Sequence, residues 1–535
     1  MSNKKFYITT PIYYVNAKPH IGHAYTTIAA DILSRWHKLN EKDVFFLTGT
    51  DEHGLKIQKK AIETGMETQH FVDEISDEFK ALWKKLNIQY DNFIRTTDAF
   101  HIKSVQKALQ TMKDKGAIYK GTYEGLYCLG CEQFKTENEL VDGKCPDHDT
   151  MTEKIKEECY LMKMSGEMQK KLIKKIEKYE FRISPARYKN EILSFLKNQI
   201  LKDISISRKN VSWGVPLPFD PSHTTYVWVD AFLNYLTGVG WDGDINKKLP
   251  KEWPADVNLI GKDILRVHAT IWPIILMHLG IETPKMLFTH GHILAGGKKM
   301  SKSLDNAIAI EDMISKFGVD GTRYILMSAG TFGEDVDLTI KRAAEKYEAD
   351  LANGLGNLTA RTLTMAEKYF NSKVPNVNIL ETGEVYSFKN VNFSGNRNDF
   401  DSCWRFIDEY MDKFQINMAI GLIMAFGIPA SSEKGIVSKQ NRFIDHAEPW
   451  KLIKMDKIKT ALVVYDLLES LRHIAWMIKP FMPETSDKIF EQLFADEKER
   501  KTELNKTLKE AQKWGGLRPG VKIKKGEMLF PRLKI

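Results

Sequence analysis

The fold of this chain is decided by the stretch Phe6-Tyr-Ile-Thr-Thr-Pro-Ile-Tyr-Tyr-Val-Asn-Ala-Lys-Pro-His-Ile-Gly-His23. The stretch begins with β-branched and aromatic residues, which predict a buried strand. A proline-containing turn follows, and a glycine between two histidines then opens a helical pattern over residues 24–38. The N-terminus of a helix attracts anions, the glycine lets a nucleotide approach the backbone, and imidazole N–H groups can donate to phosphate oxygens. The stretch therefore predicts a phosphate site that contains His20, Gly22 and His23.

The alternation of strand and helix continues beyond this stretch. Residues 44–47 predict a second buried strand, and a helical pattern follows to about residue 64. The alternation returns with predicted strands at 226–229, 257–260 and 286–289. Such alternation is typical of βαβ units on a parallel sheet, whose ligands bind at the carboxyl ends of the strands. We therefore expect convergence of the loops that hold His20, Asp51, residues 261–263 and residues 290–291.

Two other regions depart from this alternation. From residue 119 to about 216 the chain has short strand patterns, a cysteine cluster and lysine-rich helical patterns, as in a domain inserted into the first one. Beyond residue 303 it is mostly helical, with an asparagine-rich linker predicted at 371–399 and a bundle helix at 458–478. The segment from residue 514 onward is expected to be irregular. The sequence thus predicts a parallel α/β sheet that is split by an insertion and followed by a helical bundle.

Composition limits the class of protein. The 535 residues, 43% of them hydrophobic, suffice for three or four domains with their own cores. The longest apolar stretch, residues 418–430, contains two glycines and a proline and is too short to span a membrane. The N-terminus has no signal-peptide pattern and the five cysteines argue against a disulfide framework, so we expect a cytoplasmic protein. The net charge of +8 allows a polyanionic partner but does not require one.

Metal-ligand residue types occur in two close pairs. Cys128-x2-Cys131 is followed, after 13 residues, by Cys145-x2-His148. Two such pairs predict a tetrahedral zinc site of three thiolates and one imidazole, and four protein ligands predict a structural site and not a catalytic one. The alternative is a group of unrelated thiols. Since three of the five cysteines fall within eighteen residues, we expect one zinc ion per chain.

A second phosphate motif is predicted at Lys299-Met-Ser-Lys-Ser303, shortly after a glycine pair at 296–297. Lysine ammonium groups and a serine hydroxyl on a glycine-hinged loop can close over a polyphosphate as pyrophosphate departs. Taken alone, such a cluster is more often a solvated lysine-rich surface. Its pairing with the histidine motif favours the phosphate function.

Together, His20-Ile-Gly-His23 and Lys299-Met-Ser-Lys-Ser303 resemble the signature pair of the class I aminoacyl-tRNA synthetases. Within that class, the chain resembles the methionyl-tRNA synthetase family over nearly its whole length, and its zinc spacing resembles the single-knuckle form of that family. The supporting stretches are Thr9-Thr-Pro-Ile-Tyr-Tyr-Val-Asn16, Gly49-Thr-Asp-Glu-His-Gly54, Tyr226-Val-Trp-Val-Asp-Ala231, Gly261-Lys-Asp-Ile264 with His268 and Trp272, Gly356-Asn-Leu358 with Arg361, and Glu448-Pro-Trp450.

The resemblance implies a ligase that works in two steps. Methionine carboxylate attacks the α-phosphorus of Mg²⁺-bound ATP and releases pyrophosphate, and the 3′-terminal adenosine of tRNA(Met) then attacks the methionyl-adenylate and releases AMP. Such chemistry depends on positioning and charge stabilisation, with little covalent participation by the protein. The implied ligands are L-methionine, ATP with Mg²⁺, tRNA(Met) and a structural Zn²⁺.

The resemblance also assigns residues to these steps. His20, His23, Lys299 and Lys302 are the implied catalytic residues, and Asp51 is implied to bind the methionine ammonium group. From the residues alone, a helix N-cap is an equally good interpretation of Asp51. The implied binding sets are Ile12, Tyr14, Asp51, Trp228, Ala231, Tyr235, Ile264, His268 and Trp272 for methionine, His20, Gly22, His23, Gly261, Asp263, Lys299, Ser301 and Lys302 for ATP, and Asn357, Arg361 and Trp450 for the tRNA anticodon.

The implied architecture is α/β. A Rossmann-like parallel-sheet catalytic domain is expected at 1–116 and 216–292, split by a connective insertion with a zinc knuckle at 117–215. The lysine–serine loop and a stem-contact region follow at 293–370. A helical anticodon-binding domain with a C-terminal extension is expected at 371–535.

Two stretches depart from the family pattern. Asp305 stands where the family usually has glycine after the lysine–serine motif, and it can cap the following helix or change the mobility of the loop. The segment 427–435 is longer than the family pattern, which bears on the placement of the anticodon contacts. The chain ends at Ile535 without an appended tRNA-binding domain, so we expect a monomer.

Three alternatives are weighed against this interpretation. A synthetase for another apolar amino acid, such as leucine or valine, usually carries a large editing insertion, and the short insertion here argues against one. A small-molecule nucleotidylyltransferase also uses a His-x-Gly-His site but has no use for a long helical tail. A non-catalytic zinc-containing RNA-binding protein would keep its function when Lys302 is replaced by alanine.

Overall fold

The computed structural model describes residues 4–128, 133–135, 140–146, 150–209, 211–299, 308–378, 382, 386–388, 391–393, 396–424 and 435–533. The chain divides into two compact units. The first unit comprises residues 1–30 and 43–290, and the second comprises residues 31–42 and 291–535. The four domain boundaries expected from the sequence stay predictions.

The first unit alternates strands and helices. Its strands are β1 (Lys5–Thr9), β2 (Tyr13–Tyr14), β3 (Asp43–Asp51), β4 (Asn92–Arg95), β5 (Ile118–Cys128), β6 (Gln133–Lys135), β7 (Lys144–Cys145), β8 (Thr150–Met151), β9 (Glu153–Met162), β10 (Arg182–Ser184), β11 (Ile204–Ser205), β12 (Ser207–Arg208), β13 (Pro216–Leu217), β14 (Asp220–Thr225), β15 (Val257–Gly261) and β16 (Met286–His290). Its helices are α1 (Ile21–Leu39, whose last turns belong to the second unit), α2 (Leu55–Glu63), α3 (Thr68–Lys85), α4 (Ala99–Asp114), α5 (Glu167–Glu177), α6 (Ala186–Asn198), α7 (Val227–Phe232), α8 (Asn234–Thr237) and α9 (Leu265–Leu279), and a 3₁₀ turn spans Lys262–Ile264.

A parallel sheet organises the first unit. Its main strands run in the order β4-β3-β1-β15-β16, with β10 beside β16 and the short β2 paired to the end of β3. β1 is central, because Thr9 pairs with Leu47 of β3 on one side and with Asn258 of β15 on the other. This is the order of a doubly wound sheet, whose ligand crevice opens between the ends of β1 and β15. The predicted strands at 44–47, 257–260 and 286–289 are confirmed.

The predicted strand at 226–229 is wrong. The strand β14 ends at Thr225, and Val227–Phe232 form helix α7. The β-branched and aromatic residues suggested a strand, but a strand would point Trp228 and Ala231 to opposite faces. The helix instead places Trp228 and Phe232 on one face at a spacing of four residues, with ring centroids 5.6 Å apart. Tertiary packing therefore overrides the local preference for a strand.

An antiparallel sheet of order β11-β9-β5-β6 interrupts the parallel sheet along the chain. β5 and β9 pair along their length, with Ile118 opposite Met162. Helices α5 and α6 follow, and each buries one apolar face, which includes Leu172 of α5 and Ile192 of α6. These residues join the same hydrophobic cluster as Trp272 of α9, so the antiparallel sheet, its helices and the parallel sheet share one core.

The second unit is mostly helical. Its strands are β17 (Ile293–Ala295), β18 (Lys298–Lys299), β19 (Val336–Asp337), β20 (Tyr386–Phe388) and β21 (Val391–Phe393). Its helices are α10 (Ile310–Ser328), α11 (Ile340–Lys346), which continues into a π-helical segment (Tyr347–Gly356), α12 (Asn357–Phe370), α13 (Asn396–Asp412), α14 (Ile416–Met424), α15 (Ile436–Ala447), α16 (Pro449–Leu452), α17 (Lys457–Ile478), α18 (Pro483–Leu493), α19 (Glu497–Leu504) and α20 (Leu508–Ala511).

Helix α17 is the centre of this bundle and confirms the helix predicted at 458–478. It packs against α12, α13, α14, α15, α16 and α18. The linker predicted at 371–399 is confirmed at residues 371–378, which lie outside the helices and strands, but it is wrong further on, where β20 pairs with β21 and α13 begins at Asn396. Between residues 514 and 533 the chain is irregular, as predicted. Among the described helices, none combines the length and apolar character that crossing a membrane requires.

A buried ion cluster joins α17 to the C-terminal segment. The Glu469 carboxylate is fully buried and accepts hydrogen bonds from the backbone N–H groups of Gly515 and Gly516, each at 2.9 Å. Its Oε1 lies 2.7 Å from a guanidinium nitrogen of Arg472. Burial would raise the pKa of Glu469, but Arg472 and His473 outweigh burial and hold that pKa well below its usual value. Glu469 is therefore ionised within the core.

We expect the substitution Glu469→Gln to lower the free energy of unfolding by about 3 kcal/mol, because Arg472 then keeps its charge in the core without this partner. The matched control is Glu497→Gln, which removes an exposed ion pair with Lys501 and should leave stability nearly unchanged. Urea unfolding followed by tryptophan fluorescence measures both variants. Equal unfolding midpoints for the two would contradict the prediction.

Candidate active site

The histidine motif forms the turn into α1. The backbone N–H of Gly22 donates to Nδ1 of His20 at 3.1 Å, and the backbone N–H of His20 donates to Nδ1 of His23 at 3.2 Å. The two rings stack with centroids 3.7 Å apart. Because Nδ1 is the acceptor in both residues, each neutral ring carries its proton on Nε2. The turn thus sets two imidazole N–H donors side by side at the start of a helix.

Local packing keeps this arrangement in place. A Cβ atom at Gly22 would lie 3.0 Å from Cε1 of His20, so the close approach of backbone and ring favours glycine. Behind the pair, the His23 ring packs against Tyr13 and Phe79. This burial, together with the neighbouring His20 ring, lowers the pKa of His23 well below its usual value. His23 is therefore a neutral hydrogen-bond donor at physiological pH.

The ends of β15 and β16 meet the first turns of α1. Gly261 pairs with His290 across the two strands. Nε2 of His290 lies 2.7 Å from the hydroxyl of Thr26, which also donates to the carbonyl of Gly22 at 3.2 Å. The expected convergence of these loops is thus observed for the His20, 261 and 290 loops. Asp263, on the 3₁₀ turn after β15, is exposed to solvent.

A buried polar pair forms one side of the predicted methionine pocket. Nδ1 of His268 lies 2.9 Å from the carbonyl oxygen of Ile264, so that nitrogen carries the proton and Nε2 accepts. The hydroxyl of Tyr235 donates to this Nε2 at 2.9 Å. Burial lowers the pKa of His268 to about 4, which keeps the ring neutral and preserves its role as acceptor.

Aromatic rings form the second side of this pocket. The His268 ring meets Trp228 and Phe232 edge to face, with centroids 6.2 and 4.9 Å away, and Phe232 stacks on Trp272 at 5.9 Å. The Trp272 indole N–H donates to Asn258 of β15, which fixes α9 on the sheet. Sequence reasoning missed Phe232, although its spacing of four residues from Trp228 on a helix was the available signal. Trp228 is half-buried, so this cluster of aromatic rings is partly exposed to solvent at Trp228.

A carboxylate and a tyrosine lie together where β2 meets the end of β3. Tyr14 stands directly opposite Asp51 in the strand pair, and both are half-buried. The N-cap of α2 is Gly54, so the N-cap interpretation of Asp51 is wrong. Ile12, just before β2, is half-buried against the hydrophobic core, and Ala231 is buried on α7.

The lysine–serine motif is described only at its start. Lys299 ends β18, where it pairs with Leu294 of β17 in the second unit. Ser301, Lys302 and Asp305 lie outside the described residues, as do residues 427–434 of the long bundle segment.

Two of the four predicted zinc ligands are described. Cys128 ends β5 and Cys145 ends β7, and both thiols are fully buried. Cys131 and His148 lie outside the described residues, and within those residues no group of three or more metal-ligand side chains is assembled. Each of these buried thiols is three residues from a predicted partner in the sequence, and thiolate is the ligand that a soft-metal site prefers. Cys159, which the sequence predicted as a buried side chain, is buried in β9.

The predicted anticodon residues lie on helices α12 and α16. Asn357 and Arg361 are one turn apart on α12, where their side chains contact Asn441 at 3.3 Å and Asp445 at 2.6 Å on α15. Trp450 follows α15 on the short α16, and its side chain is 42% exposed. An exposed tryptophan close in sequence to a helix with paired polar residues provides a flat stacking surface beside hydrogen-bonding groups.

Known families match both units. A sequence model described as class I tRNA synthetases (M) matches residues 6–162 and 148–363. A second, described as the anticodon binding domain of methionyl tRNA ligase, matches residues 408–534.

Individual relatives match nearly the whole chain. The methionine–tRNA ligase of Caldanaerobacter subterraneus subsp. tengcongensis is 43% identical over 99% of this chain and 79% of its own length. The methionine–tRNA ligase of Streptomyces coelicolor is 40% identical over 99% of this chain and 97% of its own length. The structure of Mycobacterium tuberculosis methionyl-tRNA synthetase in complex with methionyl-adenylate matches with a TM-score of 0.87 at 34% identity, covering 99% of this chain and 100% of that one. The chain therefore belongs to the methionine–tRNA ligase family of class I aminoacyl-tRNA synthetases.

Proposed function

We propose that the first unit binds methionine and ATP at the carboxyl end of its parallel sheet and that the second unit contacts the tRNA anticodon. The chain shares the reaction of its family, in which L-methionine is activated with ATP and the methionyl group is transferred to tRNA. The observation that carries the residue assignment is the Tyr235–His268 hydrogen bond within a cluster of aromatic rings that contacts β15 through Trp272.

The pocket suits a thioether. Trp228, Phe232 and Trp272 offer ring faces and edges, with which sulfur makes favourable contacts. The Tyr235–His268 pair adds a polar edge, but its hydroxyl and imidazole protons are already donated to His268 and to the Ile264 carbonyl, so the preference for a thioether rests on the aromatic contacts. The carboxylate of Asp51, opposite Tyr14 in the strand pair, is proposed to bind the methionine ammonium group, as the family resemblance implies.

The histidine turn suits ATP phosphates. Its two Nε2–H donors and the helix N-terminus favour negative charge, and the neutral rings donate without repelling Mg²⁺. Gly261 and Asp263, at and just after the end of β15, and Ser301 are also predicted to bind ATP. Lys299 and Lys302 are predicted to bind the departing pyrophosphate. The carboxylate oxygen of methionine attacks the α-phosphorus, the bond to the β-phosphate breaks, and pyrophosphate leaves with Mg²⁺.

We expect the enzyme to exchange pyrophosphate into ATP with methionine and not with leucine. The substitution Tyr235→Phe should lower kcat/KM for methionine about tenfold, because Nε2 of His268 loses its buried donor at a cost of about 1–3 kcal/mol. The control is Tyr465→Phe, which removes an equally buried hydroxyl that donates to a backbone carbonyl in the second unit. It should lower stability and leave kcat/KM unchanged. Absence of exchange with methionine in the unsubstituted enzyme would contradict the proposed function.

The insertion is proposed to hold one structural zinc ion. Cys128 and Cys145 supply two buried thiolates, and Cys131 and His148 complete the ligand set predicted by the sequence. When bound, zinc would cross-link the strands of the insertion and take no part in the transfer chemistry.

We expect one zinc ion per chain by elemental analysis after purification without chelators. The substitution Cys145→Ser should abolish most of this zinc, because a hydroxyl is a poor ligand for a soft tetrahedral site. The matched control is Cys159→Ser, which alters an equally buried cysteine of the same predicted insertion, on β9, and should retain the metal. Equal zinc contents in the two variants would contradict the predicted ligand set.

Anticodon recognition is proposed for the α12–α15–α16 surface. Trp450 is exposed enough to stack on an unpaired base, and the Arg361 guanidinium is held beside Asp445, where it can turn to a base edge. Asn357, which is exposed, offers both a donor and an acceptor. A cytoplasmic location and a monomeric state complete the proposal, and sedimentation of the purified chain tests the latter.

We expect Trp450→Ala to raise the KM for tRNA(Met) by about tenfold, because stacking on one base contributes about 1–3 kcal/mol. ATP–pyrophosphate exchange without tRNA should not change, since the residue is assigned to RNA binding alone. The control Met455→Ala alters a neighbouring apolar side chain that is 83% exposed and should leave both measurements unchanged. A fall in exchange with Trp450→Ala, or an unchanged KM for tRNA, would contradict the assignment.

A further inference from the structure

A chain of hydrogen-bonded polar side chains crosses the core of the first unit beside the pocket. Nδ1 of His53 lies 2.6 Å from Oδ2 of Asp230, and Nε2 of His101 lies 2.8 Å from Oδ1 of the same carboxylate. Nδ1 of His101 lies 2.7 Å from the hydroxyl of Thr237. All four side chains are buried, with residue exposures of 0–5%. None of them has a part in the two-step reaction proposed above.

Each end of this polar chain sits next to a predicted methionine contact. His53 follows Asp51, the predicted ammonium ligand, by two residues at the end of β3. Asp230 lies on α7, between the pocket residues Trp228 and Ala231. Thr237 lies on α8, two residues after Tyr235. The polar chain therefore connects the ammonium end of the site to both short helices that carry the side-chain pocket.

The two hydrogen bonds to Asp230 have a fixed direction. A carboxylate only accepts, so His53 donates from Nδ1 and His101 donates from Nε2. The contact between Nδ1 of His101 and the Thr237 hydroxyl links this pair to α8. Burial would raise the pKa of Asp230, but the two imidazoles outweigh burial and lower that pKa to about 2. The carboxylate is thus ionised with both oxygens engaged, and its orientation on α7 is determined.

The end of β3 is held from its other side as well. Glu52, which is fully buried, receives two hydrogen bonds from the Arg95 guanidinium at 2.7 and 2.9 Å. The Trp213 indole N–H donates to the Glu52 carbonyl at 2.6 Å, and the backbone N–H of Gly54 donates to the Trp213 carbonyl at 3.1 Å. These hydrogen bonds hold the segment that carries Asp51 in place, and His53 attaches the polar chain to that segment.

We propose that the polar chain His53–Asp230–His101–Thr237 is a positioning element for methionine, which sets the separation between Asp51 and the pocket formed by α7 and α8. The inference rests on the proposed function of those residues. A ligand that is bound at both ends gains from the second contact only when the two subsites are held at the matching distance. Loosening the polar chain should therefore weaken methionine binding and leave ATP binding unaffected.

The decisive variant is Asp230→Asn. The amide has nearly the shape of the carboxylate but only one accepting atom, so one of the two histidines loses its acceptor. We expect the dissociation constant for methionine, measured by calorimetry, to rise at least tenfold. In ATP–pyrophosphate exchange, KM for methionine should rise in parallel, while KM for ATP stays within twofold. A merely structural role would lower stability and shift both KM values together or neither.

The matched control is Asp220→Asn. Asp220 also pairs with a buried histidine in the same unit, since its Oδ2 lies 3.3 Å from Nδ1 of His223. This pair lies on β14, where the Tyr160 hydroxyl of β9 also donates to Asp220. Methionine binding should not change in this variant. An equal loss of methionine affinity in the two variants would overturn the proposal.

A second pair of variants applies if Asp230→Asn does not fold. Thr237→Val removes only the outer hydroxyl and should raise the methionine dissociation constant about threefold, whereas Thr237→Ser keeps the hydroxyl and should restore wild-type binding. A folded Asp230→Asn enzyme, or a Thr237→Val enzyme, with wild-type methionine affinity would overturn the proposal. Failure of the unsubstituted enzyme to bind methionine would instead overturn the proposed function.

Discussion

The central position of β1 is the constraint on which the first unit depends. β1 pairs with β3 on one edge and with β15 on the other, so the chain that leaves it must enter the crevice between the ends of two parallel strands. There it forms β2, where Tyr14 stands opposite Asp51, and then begins α1 at the histidine turn. A single connection thus contributes to both predicted subsites. Methionine and the nucleotide phosphates can be oriented by one rigid piece of backbone.

The backbone determines the direction of the hydrogen bonds that several histidines of this unit make. His268 accepts from Tyr235 because its other nitrogen donates to a backbone carbonyl, and His20 and His23 accept at Nδ1 because backbone N–H groups point at them. An unpaired polar atom in such surroundings would cost about 1–3 kcal/mol. The backbone therefore fixes which ring nitrogen faces a ligand, before any ligand is bound.

The sequence was sufficient for the parts of the fold that follow from local patterns. Strand and helix alternation predicted β3, β15 and β16, and periodicity predicted α17, because buried parallel strands and amphipathic helices leave clear signals. It failed at residues 226–229, where β-branched residues fold as helix α7 because Trp228 and Phe232 pack on the same histidine ring. The hairpin of β20 and β21 was missed because short strands in a polar segment lack a distinct pattern.

The site, like the fold, was predicted from the sequence only in part. Motif resemblance selected Tyr235 and His268, and the structure places them in hydrogen-bonding contact, although 33 residues separate them in the chain. It did not select His53, Asp230 or His101, because contacts over 177 and 129 residues have no local signature. A signal was nevertheless present. Asp230 and His53 lie in motif stretches in which adjacent residues, such as Asp51 and Ala231, were assigned to methionine. A charged side chain that is buried in such a stretch requires a partner.

Helical geometry explains why Asp230 meets its histidine partners on the side of α7 opposite to Trp228 and Phe232. Successive residues of an α-helix are about 100° apart, so Asp230 projects about 200° around α7 from Trp228. When Trp228 and Phe232 face His268, the carboxylate must face the opposite side, toward the end of β3 and the start of α4. A short helix that presents rings on one side and a charge on the other is fixed in rotation by both contacts. The ring-bearing face of α7 therefore owes its orientation to residues on the opposite side of the helix.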